Sequence, residues 1–249
     1  MKLDKKYQKS HNLMPNSFVL NDTEYMQLFE IKHKPERLYI LEKYDKRKIV
    51  DGKQKILNSI NEGYKVAREL HHNPYLVANH KTSLQFFVLS INNKWYVHID
   101  GYMFYSKEPY ANSKYDLINN VTDGWIEHQI YKVFPLSLLD FREFLDKQNR
   151  PFTDHELWKR EPYRLLSNNI FNRIYYALQL ITSVLEQDKQ TLYLIKIGLD
   201  HRTQPILEKV TKNVENDFND YIINKVKHDW MELAMNKVTN KNQFIGLNN

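Results

Sequence analysis

The chain has 249 residues, a formal net charge of +6 and no cysteine. Hydrophobic residues make up 42% and charged residues 27%, which is typical of a folded globular protein and excludes wholesale disorder. Without cysteine there are no disulfides, thiolate metal sites or cysteine nucleophiles, and the six scattered glycines form no phosphate-binding glycine loop. The first residues lack the apolar stretch of a signal peptide, and we expect a cytoplasmic protein that does not enter the membrane.

The N-terminal third of the chain allows two interpretations. Residues 1–15 predict a flexible arm that ends at Pro15. Beyond it, Asn21 and Glu24 form a capping box, and Pro35 is suited to open a second helix, so we favour helices over residues 17–50. The alternative is three short strands, at residues 18–20, 27–32 and 38–41.

In the middle of the chain the spacing of the apolar residues changes from that of a helix to that of a strand. Ile56, Ile60, Tyr64 and Ala67 recur at helical spacing and predict a helix over 53–71. Residues 84–91 and 95–105 then alternate with aromatic and β-branched side chains around an Asn-Asn-Lys turn, which predicts a β-hairpin. A further short strand is expected at 75–78, because an isolated hairpin is only marginally stable.

The C-terminal half is interpreted as mainly helical. Prolines separate predicted helices at 125–132, 136–147, 154–160 and 167–187, and one strand is expected at 191–197. Pro205 then begins a long helix, because apolar residues follow at steps of four from Ile206 to Trp230. The sequence therefore predicts a predominantly helical α+β protein with a central antiparallel hairpin or small sheet (about 82–105) and a C-terminal helical bundle.

We divide the chain into a flexible arm (1–15), a basic α+β region with the hairpin (16–110) and a helical region (125–245). The last two can form one continuous domain. Charge is distributed unevenly between these parts, since residues 1–74 carry 15 Lys and Arg against 10 Asp and Glu.

Positive charge is densest between Lys32 and Lys55, where nine basic residues face four acidic ones. Localised positive charge with interleaved aromatic residues is typical of surfaces that bind phosphate backbones. The alternative is a solvated face whose lysines reflect the composition of an AT-rich genome. The candidate nucleic-acid-binding residues are Lys34, Arg37, Tyr39, Lys43, Tyr44, Lys46, Arg47, Lys48, Lys53 and Lys55.

A second hypothesis is catalytic. Glu30 and Lys32, with Asp22 upstream, resemble the carboxylate and Glu-x-Lys pattern of PD-(D/E)xK nucleases. Such a site would use Mg²⁺ or Mn²⁺ held by the carboxylates, and a strand would place Glu30 and Lys32 on one face. The expected proline before Asp22 is missing, and the triplet also fits an ordinary charged surface.

A metal site is a third hypothesis. His98 and Asp100 lie two apart on a predicted strand and therefore share one face, where they could ligate a divalent ion. The alternative is a histidine on the solvent face of the hairpin.

The sequence thus favours a nucleic-acid-binding accessory protein of phage, plasmid or defence origin, with DNA and RNA both open as partners. The alternatives are a metal-dependent nuclease and a protein-interaction module without catalysis. In that last case a partner protein or a second copy of the chain would dock on the hairpin or on the C-terminal helix.

Overall fold

A computed structural model describes residues 13–44, 46–70, 73–110, 117–122, 134–148, 164–185, 190–212, 221–234 and 243–247. The strands among them form two antiparallel β-sheets of four and six strands, which together contain as many residues as the helices. The prediction of a predominantly helical protein with a C-terminal helical bundle is therefore wrong. The predicted helices at 125–132 and 154–160, and most of the arm at 1–15, lie outside the described residues.

The N-terminal region forms the four-stranded sheet, which we call the small sheet. Its strands run in the order β1-β4-β2-β3, and two helices pack against one face. In chain order the elements are β1 (Ser17–Val19), α1 (Thr23–Lys32), β2 (Leu38–Lys43), β3 (Lys46–Asp51), α2 (Lys53–Asn61) and β4 (Val66–Glu69).

Both earlier interpretations of residues 17–50 are therefore partly correct. The helix over 23–32 is real, but Asp22 caps it, because its carboxylate accepts the main-chain N–H of Glu24 and Tyr25. Strands replace the helix favoured after Pro35. The predicted helix 53–71 ends at Asn61, where Gly63 takes the left-handed conformation (φ 87°) that commonly follows a helix C-terminus.

The remaining strands form the six-stranded large sheet, in the order β10-β7-β6-β8-β9 with β5 paired to β6. These strands are β5 (Leu76–Val77), β6 (His80–Ile91), β7 (Lys94–Tyr105), β8 (Gln190–Leu199), β9 (Pro205–Lys212) and β10 (Phe244–Leu247). The predicted hairpin is confirmed as β6 and β7. Asn92 and Asn93 form its turn with φ of 50° and 60°, a conformation that asparagine tolerates better than most residues.

Helices cover the large sheet after the hairpin. They are α3 (Leu117–Asn120), α4 (Leu138–Gln148), α5 (Arg164–Thr182) and α6 (Tyr221–Ala234). The predictions of helices near 136–147 and 167–187 and of the strand at 191–197 are confirmed. The single long helix predicted after Pro205 is wrong, because residues 205–212 pair with β8 as a strand and α6 begins only at Tyr221.

The two faces of the large sheet have different coverings. On one face, α4 and α5 bury Phe141 and Phe171 against Phe86 and form the main core. On the other face, α6 packs over Phe87 at one end, through Val226. The small sheet lies over the other end of that face, and Arg68 donates to the main-chain oxygen of Glu208. Among the described helices, none is both long and apolar enough to cross a bilayer.

Candidate nucleic-acid interface

The β2–β3 hairpin carries most of the positively charged candidates, and its two faces differ. In this antiparallel pair Leu41 lies opposite Lys48 and Lys43 opposite Lys46, so these residues share the face that α1 and α2 cover. Glu42 lies opposite Arg47 on the other face, toward the large sheet. The basic stretch is therefore not one continuous surface.

Acidic neighbours neutralise several of the candidate lysines. Lys48 Nζ lies 2.6 Å from Glu62 Oε2, Lys55 Nζ lies 2.6 Å from Asp51 Oδ1, and Lys53 pairs with Glu30. All of these pairs are partly solvent-exposed, so each contributes little to stability. Their effect on the site is to cancel local charge, which leaves less of the stretch available to attract phosphate.

The turn of this hairpin is different. Tyr44 is 89% exposed and takes a left-handed conformation (φ 48°). Lys65 Nζ lies 5.1 Å from its ring centroid, and Lys46 is exposed beside it. Lys43 donates to the main-chain oxygen of Glu62, and no carboxylate among the described residues pairs with its ammonium. We call Lys43, Tyr44, Lys46 and Lys65 the hairpin tip, a group that combines an exposed aromatic ring with three lysines.

Tyr39, by contrast, lies in the core of the small sheet and presents no ring at the surface. Its side chain is fully buried, stacks on His33 with centroids 5.4 Å apart, and accepts the N–H of Lys34. Burial raises the pKa of the Tyr39 hydroxyl above its ordinary value. Arg37 lies next to this core and pairs with Glu69, with Nε 3.5 Å from Oε1.

On the other face, Arg47 borders a polar cleft between the two sheets, with a cavity volume of about 240 Å³. The charged side chains that line the cleft are five cations and three carboxylates, namely Arg47, Arg68, Lys81, Lys196, Lys209, Glu42, Glu69 and Glu208. Positive charge is in excess by two, so the cleft is suited to an anionic group such as a phosphate.

Hydrogen bonds fix the floor of this cleft. The buried amines of Lys81 and Lys196 donate to the main-chain oxygens of Asn120 and Thr122, each at 2.9 Å. Ser83 Oγ donates to Glu208 Oε2 at 2.5 Å. These contacts hold the segment 120–122 against the large sheet and keep the cations in place.

The structure does not bring the nuclease candidates together. Asp22, Glu30 and Lys32 all belong to α1 or its cap, whereas the nuclease arrangement needs a strand. Asp22 accepts main-chain N–H groups as the helix cap, and Glu30 pairs with Lys53. Two residues apart on a helix, Glu30 and Lys32 diverge by about 200° around the axis, so they do not share a face.

The metal candidates His98 and Asp100 share a face of β7, but their side chains do not meet. The fully buried His98 contacts Asp100 only through the main chain, and Asp100 Oδ1 accepts the N–H of Gly101 at 2.9 Å. The carboxylate that the imidazole does meet is Asp229, whose Oδ2 lies 3.0 Å from Nε2.

Sequence reasoning missed several residues of these sites. Lys65 belongs to the hairpin tip, and Arg68, Lys81 and Lys196 line the cleft, but all four lie outside the basic stretch from 32 to 55. Only the pairing of distant strands brings them close to Tyr44 and Arg47. No local pattern singles them out, because Lys81 and Lys196 are single lysines in strands β6 and β8 that otherwise contain no Lys, Arg, Asp or Glu.

Two antiparallel sheets with helices on both faces of the larger one define an α+β protein. The chain matches no protein-family model and no curated protein.

Proposed function

We propose that this protein binds nucleic acid at the hairpin tip, with phosphates contacting its lysines and an unpaired base stacking on Tyr44. The observation that carries this proposal is Tyr44, a tyrosine 89% exposed among Lys43, Lys46 and Lys65. Large aromatic side chains usually bury most of their surface, so a ring that stays exposed among cations favours a ligand that covers it. Aromatic rings stack on any base, and lysines follow the backbone, which gives binding with little sequence preference.

The overall charge supports the same function. A net charge of +6 and an isoelectric point near 9.1 attract a polyanion over longer distances than any single contact. On the opposite face of the same hairpin, Arg47 borders the cleft between the sheets, where the cations exceed the carboxylates by two. A second phosphate of the bound strand would occupy this cleft.

The proposed role is that of an accessory binding protein in the cytoplasm, of phage, plasmid or defence origin. A chain without cysteine is compatible with that reducing compartment. Both DNA and RNA present the phosphates and unpaired bases that the hairpin tip would bind.

The test is a binding titration on labelled single- and double-stranded DNA and RNA at several salt concentrations. We expect single strands to bind most tightly, with an affinity that falls as salt rises, because bound lysines displace condensed counterions. Replacing Lys46 and Lys65 by Glu should weaken binding and reduce the slope of log K against log salt by about 1.4 for a single strand.

The matched control is Lys94→Glu with Lys107→Glu, which makes the same change in net charge at two exposed lysines elsewhere. If binding depended only on the overall charge, both double variants would lose affinity equally. That result, or an absence of salt-dependent binding by the unaltered protein, would refute the proposal.

A further inference from the structure

The buried imidazole of His98 lies between three elements of the large-sheet layer. It stands on β7, its ring contacts Phe244 of β10 edge-on with centroids 5.0 Å apart, and its Nε2 points at Asp229 of α6. Its Nδ1 lies 3.0 Å from the main-chain oxygen of Asp100 and 3.1 Å from the main-chain nitrogen of the same residue. Both ring nitrogens are therefore held in fixed directions within a fully buried site.

Two further ligand-type side chains adjoin Asp229 on α6. His228 Nδ1 lies 3.6 Å from Asp229 Oδ1, and His228 Nε2 lies 4.0 Å from Glu232 Oε1. One potential ligand atom from each of His228, Asp229 and Glu232 falls within 4.8 Å of the others. Residues 228 and 232 are one helical turn apart and share a face of α6.

We propose that His98, His228, Asp229 and Glu232 form a binding site for one divalent transition-metal ion such as Zn²⁺. Metal–ligand bonds of about 2.0–2.2 Å in a tetrahedron separate neighbouring ligand atoms by about 3.3–3.6 Å. Asp229 Oδ2 already lies 3.0 Å from His98 Nε2, and one ligand atom from each of His228, Asp229 and Glu232 lies within 4.8 Å of the others. Rotation of the His228 and Glu232 side chains, which are 66% and 27% exposed, would bring the four groups onto one ion.

The hydrogen bonding of His98 suits a metal ligand. A histidine that binds a metal through Nε2 generally donates its Nδ1–H to a carbonyl or carboxylate oxygen. Here the main-chain oxygen of Asp100 is in position to accept that hydrogen bond. A neutral His98 ring bound to the ion through Nε2 carries its single proton on Nδ1, where the Asp100 oxygen accepts it.

Burial and exposure divide the cluster into an anchored side and an open side. His98 is fully buried and the Asp229 side chain is 10% exposed, whereas the His228 side chain is 66% exposed. The ion can therefore enter from solvent past His228 and Glu232. Two imidazole nitrogens with two carboxylate oxygens favour zinc or a similar first-row ion over Mg²⁺ or Ca²⁺, which prefer oxygen ligands alone.

The experiment titrates the metal-free full chain with Zn²⁺ by calorimetry and with Co²⁺ by visible absorption. We expect one site per chain, with Co²⁺ bands of the intensity typical of four-coordinate nitrogen and oxygen ligation. The double variant His228→Ala with Glu232→Gln should lose at least about 100-fold in affinity. Both positions lie at the open side of the cluster, so the fold should survive, which circular dichroism checks.

The control is Glu143→Gln, an exposed carboxylate on α4 with an i,i+4 partner in Lys147. It should bind Zn²⁺ like the unaltered protein. Failure of the unaltered chain to bind one equivalent of either ion would overturn the proposal, as would unchanged affinity in the folded double variant. Neither result depends on nucleic-acid binding, since the hairpin tip takes no part in this site.

Discussion

Replacing Tyr44 by asparagine removes the exposed ring of the hairpin tip with little expected effect on folding. The residue has a φ of 48°, and asparagine tolerates this left-handed region better than alanine or a β-branched residue. In the free protein the ring contacts the ammonium of Lys65, an interaction of about 0.5–1 kcal/mol at an exposed site. The variant should therefore unfold close to the temperature of the unaltered protein.

Tyr44→Asn should reduce the free energy of nucleic-acid binding by more than it reduces the free energy of unfolding. Stacking of one base on an aromatic side chain contributes about 1–3 kcal/mol, which corresponds to about 5- to 150-fold in the dissociation constant. Fluorescence anisotropy with a short labelled single strand measures this difference. The dependence of affinity on salt should stay the same, because Tyr44→Asn changes no charge.

Two further variants separate stacking from other effects. Tyr44→Trp retains an aromatic face and should bind at least as well as the unaltered protein. Tyr176→Ala removes a tyrosine that is 52% exposed on α5 and should leave binding unchanged. If Tyr44→Asn is folded and binds within twofold of the unaltered protein, the ring makes no contact with a base and our argument is refuted.

Three other predictions concern stability. Gly101→Ala should lower the free energy of unfolding in urea by at least about 2 kcal/mol. The new methyl would lie 2.9 Å from Leu138 Cδ1 and closer still to the main-chain oxygen of Gln85. The control Gly246→Ala has open space around the added methyl and should leave the free energy of unfolding unchanged. Burial and the charge of Lys53 lower the pKa of His33 from 6.5, so the unfolded chain binds more protons and thermal stability should fall as pH drops below 6.5. That dependence should be weaker in His33→Phe. Tyr39→Phe leaves the N–H of Lys34 without its acceptor and should cost about 1 kcal/mol in the same unfolding assay.

The misassigned C-terminal helix shows what the apolar pattern could not decide. Ile206 and Val210 lie four residues apart on strand β9, whereas Val226 and Trp230 have the same spacing on helix α6. A step of four returns to the same face in a regular strand as well as in a helix, so this spacing alone does not distinguish the two. In β9 the pairing is irregular next to Glu208, and as a result Ile206 lines the cleft whereas Val210 packs against the main core. The hairpin was predictable because alternation with period two and an Asn-Asn turn occur together only in a strand pair.

The charge count along the chain was a less direct guide to the site. It identified the hairpin that carries Tyr44, but it could not show that Lys48 and Lys53 pair with carboxylates. The partner of His98 was equally hidden, because Asp229 lies 131 residues further along the chain. Contacts of this kind depend on the packing of α6 on the sheet, and no local pattern encodes them.

The order of strands in the large sheet affects how the chain folds while it is being synthesised. Strand β6 lies between β7, its immediate successor, and β8, whose Gly198 pairs with Ser83. At a synthesis rate of about 5–20 residues per second, the chain from the end of β7 at Tyr105 to the end of β8 at Leu199 takes about 5–19 s to make, and the β6–β7 hairpin lacks its second neighbour during that time. During that interval a twelve-residue strand, half of it apolar, has an unpaired edge, and such edges can pair with other unfolded chains. Neighbouring ribosomes on one mRNA would therefore hold unpaired β6 edges of several nascent chains near one another. A chaperone that covers β6 during synthesis should raise the yield of folded protein.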